Sequence, residues 1–323
     1  MTDPLTLTTA ICLGAILGSF LNVVIHRLPE RDVQRSQGTR SACPACGAPI
    51  PIWCNIPVLA WLFLRGKARC CGAKISIRYP IVELLTASLV VVAVFEPPFS
   101  AVPLDLLEPS WRGVFGFVLF AYFTGNLIAN TFIDLEFRRL PDRLTIPLTL
   151  VGLCSAPLLP EMHQQIDALA DSQPWVRALL ESLAGFVVGR GLTWLIHAAA
   201  PILFGKPGMG LGDVKLMGGL GAFLGWQGAL LTFFVASLLG AVGGSLRLLF
   251  TRDPYVAFGP VLVLAAFLTA FFRQDMLDFW FETLPTWSRE SESAPIVLIG
   301  ALVVCSLMLL VLRRRRRGGS EVS

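Results

Sequence analysis

Three carboxylates fall where a charge is expensive to keep. Asp134 closes one apolar run in Phe132-Ile133-Asp134. Asp142 precedes the next in Leu140-Pro141-Asp142-Arg143-Leu144-Thr145, and Asp213 stands at the mouth of another in Gly208-Met209-Gly210-Leu211-Gly212-Asp213-Val214-Lys215. Acidic groups at membrane-spanning segments are rare and mark functional sites. Two carboxylates sharing a site cannot both ionise readily, so one keeps a proton while the other takes one from water, the division of labour by which aspartic proteases hydrolyse peptides. Gly208, Gly210 and Gly212 suit that chemistry, because backbone without side chains lets a substrate strand approach and pair by strand addition. Each aspartate also has a plainer reading. Asp142 is placed to cap a helix, Asp213 to sit at a helix start or pair with Lys215, and Asp134 to balance Arg138 and Arg139. A nucleotide loop is not indicated, since no Gly-Lys-Ser/Thr follows the glycines and no strand precedes them.

The eight cysteines divide into two groups. Cys12, Cys154 and Cys305 are isolated in apolar runs, where a free thiol serves as a small buried hydrophobe. Cys43, Cys46, Cys54, Cys70 and Cys71 share one polar stretch. Cys43-Pro44-Ala45-Cys46-Gly47 reads as a knuckle that points two thiolates at one ion, and a structural zinc site needs four ligands in a tetrahedron. The position that would complete a second such pair with Cys71 is Ala68. The expected ligand set is Cys43, Cys46 and Cys71 with either Cys70 or Cys54 as the fourth. A loop of this size buries little core, so a metal staple would supply folding free energy it otherwise lacks.

The elements that carry these groups are membrane helices. Of 323 residues 54% are hydrophobic and 15% charged, against about 25% charged in soluble chains, and the mean hydropathy is +0.68. The net charge of +4 requires no nucleic-acid partner. A span needs about 20 apolar residues. Nine runs qualify: Leu5–Ile25, Pro80–Phe95, Val114–Thr131, Leu144–Leu159, Leu183–Leu203, Met209–Trp226, Ala229–Phe250, Val256–Phe272 and Pro295–Leu312. The first has no basic flank or cleavage site and reads as a retained span. An amino terminus outside and a carboxyl terminus inside puts 21 of the 26 Lys and Arg on the inner side, as the positive-inside rule asks. That places the cysteine stretch and all three aspartates at the cytosolic face, where thiols stay reduced. The expected architecture is an all-α polytopic membrane protein with about nine transmembrane helices and a small zinc-ribbon-like loop. It divides into a first span (1–27), a cysteine loop (28–79), a membrane-embedded core (80–273) and an added span with a basic tail (274–323).

Ordered motifs along residues 10–270 resemble the type IV prepilin leader peptidases, the bacterial branch of the GxGD intramembrane aspartic proteases. They are Gly18 through Pro29, Cys43 through Gly47 followed by Asn55 through Leu62, Arg78 through Thr86, Ile133-Asp134 with Leu140-Pro141-Asp142, Gly208 through Lys215, and Phe258-Gly259-Pro260. The resemblance implies cleavage of short basic leaders from type IV prepilins or type II secretion pseudopilins at the cytosolic membrane face. It also implies, for many members, methylation of the new amino terminus with S-adenosylmethionine. By motif position it makes Asp134 and Asp213 the catalytic pair, Asp142 a supporting residue, and Gly210 and Gly212 the shapers of the active loop. Ala68 and the tail beyond residue 274 depart from the family pattern.

Other polar groups within the spans have local readings. Arg190 and His197, two turns apart, are expected to face the bundle interior, with Glu83 or an aspartate as partner to Arg190. Asn22 and His26 are placed to bond across helices, and Glu83 to satisfy a buried cation or contact a basic leader. Two other classes of function compete with a protease: a non-catalytic scaffold that binds a partner through the cysteine loop, and a transporter built on broken helices. The paired aspartate motifs favour the protease.

Overall fold

The computed structural model describes residues 4–28, 42–43, 45–100, 104–105, 109–163, 172–205, 208–251, 257–283 and 286. Among them are eight α-helices: α1 (Pro4–Arg27), α2 (Leu59–Phe63), α3 (Arg78–Phe95), α4 (Trp111–Phe137), α5 (Asp142–Ser155), α6 (Pro174–Phe204), α7 (Leu211–Thr251) and α8 (Phe258–Asp278). Six of these, α1, α3, α4, α6, α7 and α8, are long and apolar enough to cross a membrane. The fold class is all-helical, as expected, and the count of spans differs for physical reasons. With 14 residues, α5 rises about 21 Å, less than the roughly 30 Å of hydrocarbon. The sixth and seventh expected spans form one 41-residue element interrupted at Gly225, whose φ of 72° and ψ of 178° no helix tolerates. Pro295–Leu312 lies outside the described residues.

The chain divides into two compact units, Met1–Ala236 with Ala257–Phe271, and Ser237–Val256 with Phe272–Ser323. The first holds every element discussed below. The described part of the second consists of the end of α7, the end of α8 and a π-helical turn at Phe279–Thr283.

Within lipid, apolar burial gives helices little reason to associate, so small residues that allow close backbone approach take over. Gly14 and Gly18 lie four apart on one face of α1. A Cβ on Gly14 would come within 2.7 Å of Ala87 Cα, and one on Gly18 within 2.6 Å of Glu83 Cα, which presses α1 directly on α3. The approach of α6 to α7 is tighter. A Cβ on Gly185 would fall 2.1 Å from the Gly221 carbonyl oxygen, and one on Gly189 2.6 Å from that of Met217. The core beside these contacts is aromatic. Phe123 meets Phe223 at 5.0 Å and Phe99 at 5.2 Å between ring centroids, and Phe267 at 5.9 Å.

Replacing Gly185 or Gly221 with Ala is expected to cost about 1–3 kcal/mol through overpacking. Gly191, with open space around its Cα, accepts Ala without loss and gains helix propensity. Thermal unfolding of the three purified variants in one detergent checks the contrast, and equal midpoints would refute the packing assignment.

Candidate active site and thiol cluster

The last turn of α4 carries Asp134, which is only 9% exposed. Three buried or half-buried polar residues precede it at intervals of four: Tyr122, Asn126 and Asn130. On a helix that spacing makes one face. Asn126 Nδ2 donates to the Leu144 carbonyl at 3.0 Å, joining α4 to the start of α5, and Asn130 Nδ2 donates to Asn126 Oδ1 at 2.8 Å. Sequence reasoning passed over this ladder, although polar residues every fourth position in an apolar run were its signal.

Asp213 lies in the first turn of α7, half-buried, with the backbone of Gly210 as hydrogen-bonding partner. A Cβ on Gly210 would come within 3.4 Å of Asp213 Oδ2. Asp134 and Asp213, remote along the chain, are near enough that the charge of one acts on the other. Gly259, at the start of α8, closes the site: a Cβ there would fall 2.6 Å from Asp134 Oδ2, and its backbone is a hydrogen-bonding partner of that carboxylate. A side chain at 259 would therefore strike the acid. The motif that holds Gly259 was visible in the sequence; its contact was not.

The remaining predicted residues frame this pair. Asp142 is the first residue of α5, one position inside the N-cap, which is Pro141. It is instead bound by Lys215, whose Nζ donates to Asp142 Oδ1 at 2.5 Å. Lys215 thus ties α7 to α5, which replaces both the capping role for Asp142 and a Lys215–Asp213 pair. Arg138 and Arg139 are exposed while Asp134 is buried. Gly212 gives room to Leu140, whose Cβ would lie 2.8 Å from an added Cβ, and Gly208 gives room to Ala200 at 2.5 Å. His197 reaches the glycine turn, its Nδ1 lying 2.7 Å from the Met209 carbonyl oxygen. Arg190 does not face the interior as expected. It is exposed, with its guanidinium 5.8 Å from the centre of the Phe186 ring. Glu83 is buried and accepts the Val58 N–H at 2.7 Å and the Ser19 hydroxyl, so its partners are neutral donors and not a cation. Asn22 Nδ2 donates to the Tyr79 carbonyl at 3.1 Å, across α1 and α3.

The cysteine stretch forms a second site. The sulfurs of Cys43, Cys46, Cys70 and Cys71 all lie within 4.8 Å of one another. Cys46 to Cys70 is 3.4 Å, and Cys43 to Cys71 and Cys70 to Cys71 are each 3.8 Å. Four sulfurs about 2.3 Å from a tetrahedral ion stand about 3.8 Å apart, so the donor set fits zinc. Cys70 is the fourth member, and Cys54 lies outside the group. Backbone hydrogen bonds at Cys46 and Ala45 hold the Cys43 thiol down to about 6 from an ordinary 9.0. The neighbouring sulfurs of Cys46 and Cys43 push Cys70 up to about 12. Binding an ion must displace the proton that Cys70 holds, so affinity rises with pH.

Comparison with known proteins assigns this architecture. Residues 12–96 match the bacterial peptidase A24 N-terminal domain, and residues 121–245 match the type IV leader peptidase family. A prepilin leader peptidase/N-methyltransferase of Aeromonas salmonicida is 36% identical over 296 residues, covering 83% of this chain and 91% of the relative. The chain belongs to the type IV leader peptidase family. Proteins of the same description are 37% identical in Aeromonas hydrophila, over 83% of this chain and 91% of the relative, and 34% identical in Neisseria gonorrhoeae, over 82% and 90%. No solved structure matches. Family membership and six apolar helices make the chain a bacterial inner-membrane enzyme of the aspartic peptidase class.

Cys70→Ser is expected to lower bound zinc well below one per chain, while Cys54→Ser leaves it at the wild-type level. Elemental analysis of the purified variants reads both, and metal kept by Cys70→Ser but lost from Cys54→Ser would reassign the fourth ligand.

Proposed function

We propose that this chain is a prepilin peptidase that removes the basic leader from type IV prepilins or type II secretion pseudopilins at the cytosolic membrane face. Asp134 and Asp213 divide the acid and base roles. The observation that carries this reading is the convergence of the two carboxylates from α4 and α7 within electrostatic reach, each with a glycine against it, at Gly259 and Gly210. The relatives' description as prepilin leader peptidases supplies the substrate class.

In the proposed reaction one carboxylate takes a proton from water as its oxygen attacks the scissile carbonyl carbon. The protonated partner gives its proton to the carbonyl oxygen, forming a tetrahedral diol. Collapse of the diol breaks the C–N bond: the proton first taken from water passes to the leaving amine, and one diol hydroxyl returns its proton to the partner carboxylate, leaving a carboxylic acid and the starting dyad. The glycine turn from Gly208 to Gly212 offers its backbone to the extended leader junction. Lys215 and Asp142 hold that turn in register with α5, and His197 anchors it to α6.

The same reading sets the topology. The amino terminus lies outside and the carboxyl terminus inside. The parts of α7 on either side of Gly225 cross separately, α5 crosses despite its 14 residues by local thinning of the bilayer, and the 295–312 run completes nine passes. The domain division is 1–27, 28–79, 80–273 and 274–323. Zinc held by Cys43, Cys46, Cys70 and Cys71 would cross-link the 28–79 loop as a structural ion.

The relatives' second activity extends to methylation of the new amino terminus, with S-adenosylmethionine as the methyl source.

Co-expression with a prepilin, read by mass spectrometry for leader loss and for the mass of the new terminus, tests the proposal. Asp134→Asn and Asp213→Asn are each expected to lower cleavage by at least about a hundredfold at unchanged protein level. Retained cleavage in either variant would remove that residue from the dyad. Absence of cleavage by the wild type would favour a scaffold.

A further inference from the structure

The cysteine module has an apolar face that neither the thiol cluster nor the aspartate pair uses. In α2, Leu59, Leu62 and Phe63 are three and four residues apart and share one side of the helix. All three are exposed, Phe63 to 82%. Trp61 turns the other way, half-buried, its Nε1 donating to the Ile75 carbonyl at 3.2 Å. Trp53 and Ile56, just upstream, are exposed as well. A contiguous set of large apolar side chains turned outward marks an interaction surface.

Three observations say what covers it. The first is depth. The Val58 N–H, immediately before α2, donates to the Glu83 carboxylate at 2.7 Å. Glu83 is buried and lies five residues inside α3, about 7.5 Å along the helix from Arg78. The start of α2 is therefore held beside the second turn of a membrane helix and not beyond its end. Val58 adopts φ 60°, a conformation that β-branched residues avoid, at the bend where the chain enters α2. The second is continuity. Exposed Ile77 precedes exposed Ile81, Leu84 and Leu85 by four, seven and eight residues, so the lipid-facing stripe of α3 begins within the cysteine module. The third is charge. Arg65, Lys67, Arg69 and Lys74, all exposed, follow the apolar set closely. Apolar anchors with adjacent basic residues are the composition that binds anionic lipid surfaces.

We propose that the Trp53–Phe63 segment docks in the lipid interface beside α3. Leu59, Leu62 and Phe63 enter the boundary between headgroups and acyl chains, and Arg65, Lys67, Arg69 and Lys74 meet anionic headgroups. The segment thereby fixes the thiol cluster at the membrane surface. The inference uses only the membrane character of α3 and stands whether or not the chain cleaves prepilins.

The test places the photo-reactive residue p-benzoylphenylalanine at position 63, 62 or 74 of the full-length protein, reconstituted in vesicles of phosphatidylethanolamine and phosphatidylglycerol. Adducts are identified by mass spectrometry after irradiation. Adducts mapped to lipid acyl chains are expected at 62 and 63 several-fold above those at 74, where the side chain stands at headgroup level. Two apolar positions are used so that a misfolded variant at one leaves the other to decide. Acyl-chain adducts at 62 and 63 no higher than at 74 would overturn the proposal. So would adducts in native membranes that join these positions to a protein and not to lipid.

Discussion

Two carboxylates brought near each other at the ends of two apolar helices cannot both ionise freely, and the contacts around them hold the pair together against that constraint. Those contacts surround the pair on several sides. The Asn126–Asn130 ladder ties α4 to the backbone of α5. Lys215 ties the first turn of α7 to Asp142 at the head of α5. His197 fixes the turn before α7 to α6 through the Met209 carbonyl. Each holds a terminus or a turn, where free backbone groups need partners in any case. The positioning of Asp134 and Asp213 therefore coincides with the satisfaction of polar groups that lipid would leave unmet.

The glycines act on the same constraint through volume. Between α6 and α7 the backbones are so close that the Cβ of any other residue at 185 or 221 would overlap a carbonyl oxygen. That approach sets the lateral position of α7, and with it Asp213 relative to α4. At Gly259 and Gly210 the missing side chain lets backbone come close to the Asp134 and Asp213 carboxylates. In both settings glycine permits an approach that a side chain would block.

Much of this was legible from residue order, and the failures share a cause. Apolar runs located the long helices, and the break between the sixth and seventh expected spans falls within a few residues of Gly225. The aspartates and four of the five clustered cysteines were identified by their surroundings in the chain. What escaped depends on which element a side chain meets. Asp142 looked like a cap because capping is a local interaction, yet its partner is Lys215 on another helix. Arg190 and Glu83 looked like a pair because buried charges seek opposites. In the fold Arg190 faces outward and Glu83 takes a backbone N–H from a loop. The run 144–159 was apolar enough for a span, but the helix it forms ends at Ser155 after 14 residues that begin at Asp142, since composition does not record where a chain turns.

The thiol cluster shows how a site survives a departure from its expected pattern. In the first knuckle the Gly47 N–H donates to the Cys43 carbonyl at 2.8 Å, and in the second the Gly72 N–H donates to the Ala68 carbonyl at 2.8 Å. Both glycines take positive φ, 72° and 70°. A matching bridge closes each turn, Ala42 with Pro49 and Lys67 with Lys74. In this register Cys71 corresponds to Cys46, and Ala68 occupies the position of Cys43. The turn is made by its glycine and its backbone hydrogen bonds, so it forms without a sulfur at the first position. Cys70, at the middle of that turn, brings its sulfur 3.4 Å from that of Cys46. Moving the ligand two residues along a turn of unchanged shape keeps four sulfurs together. The requirement here is a count of thiols at one point in space, and spacing in sequence is only one way to meet it.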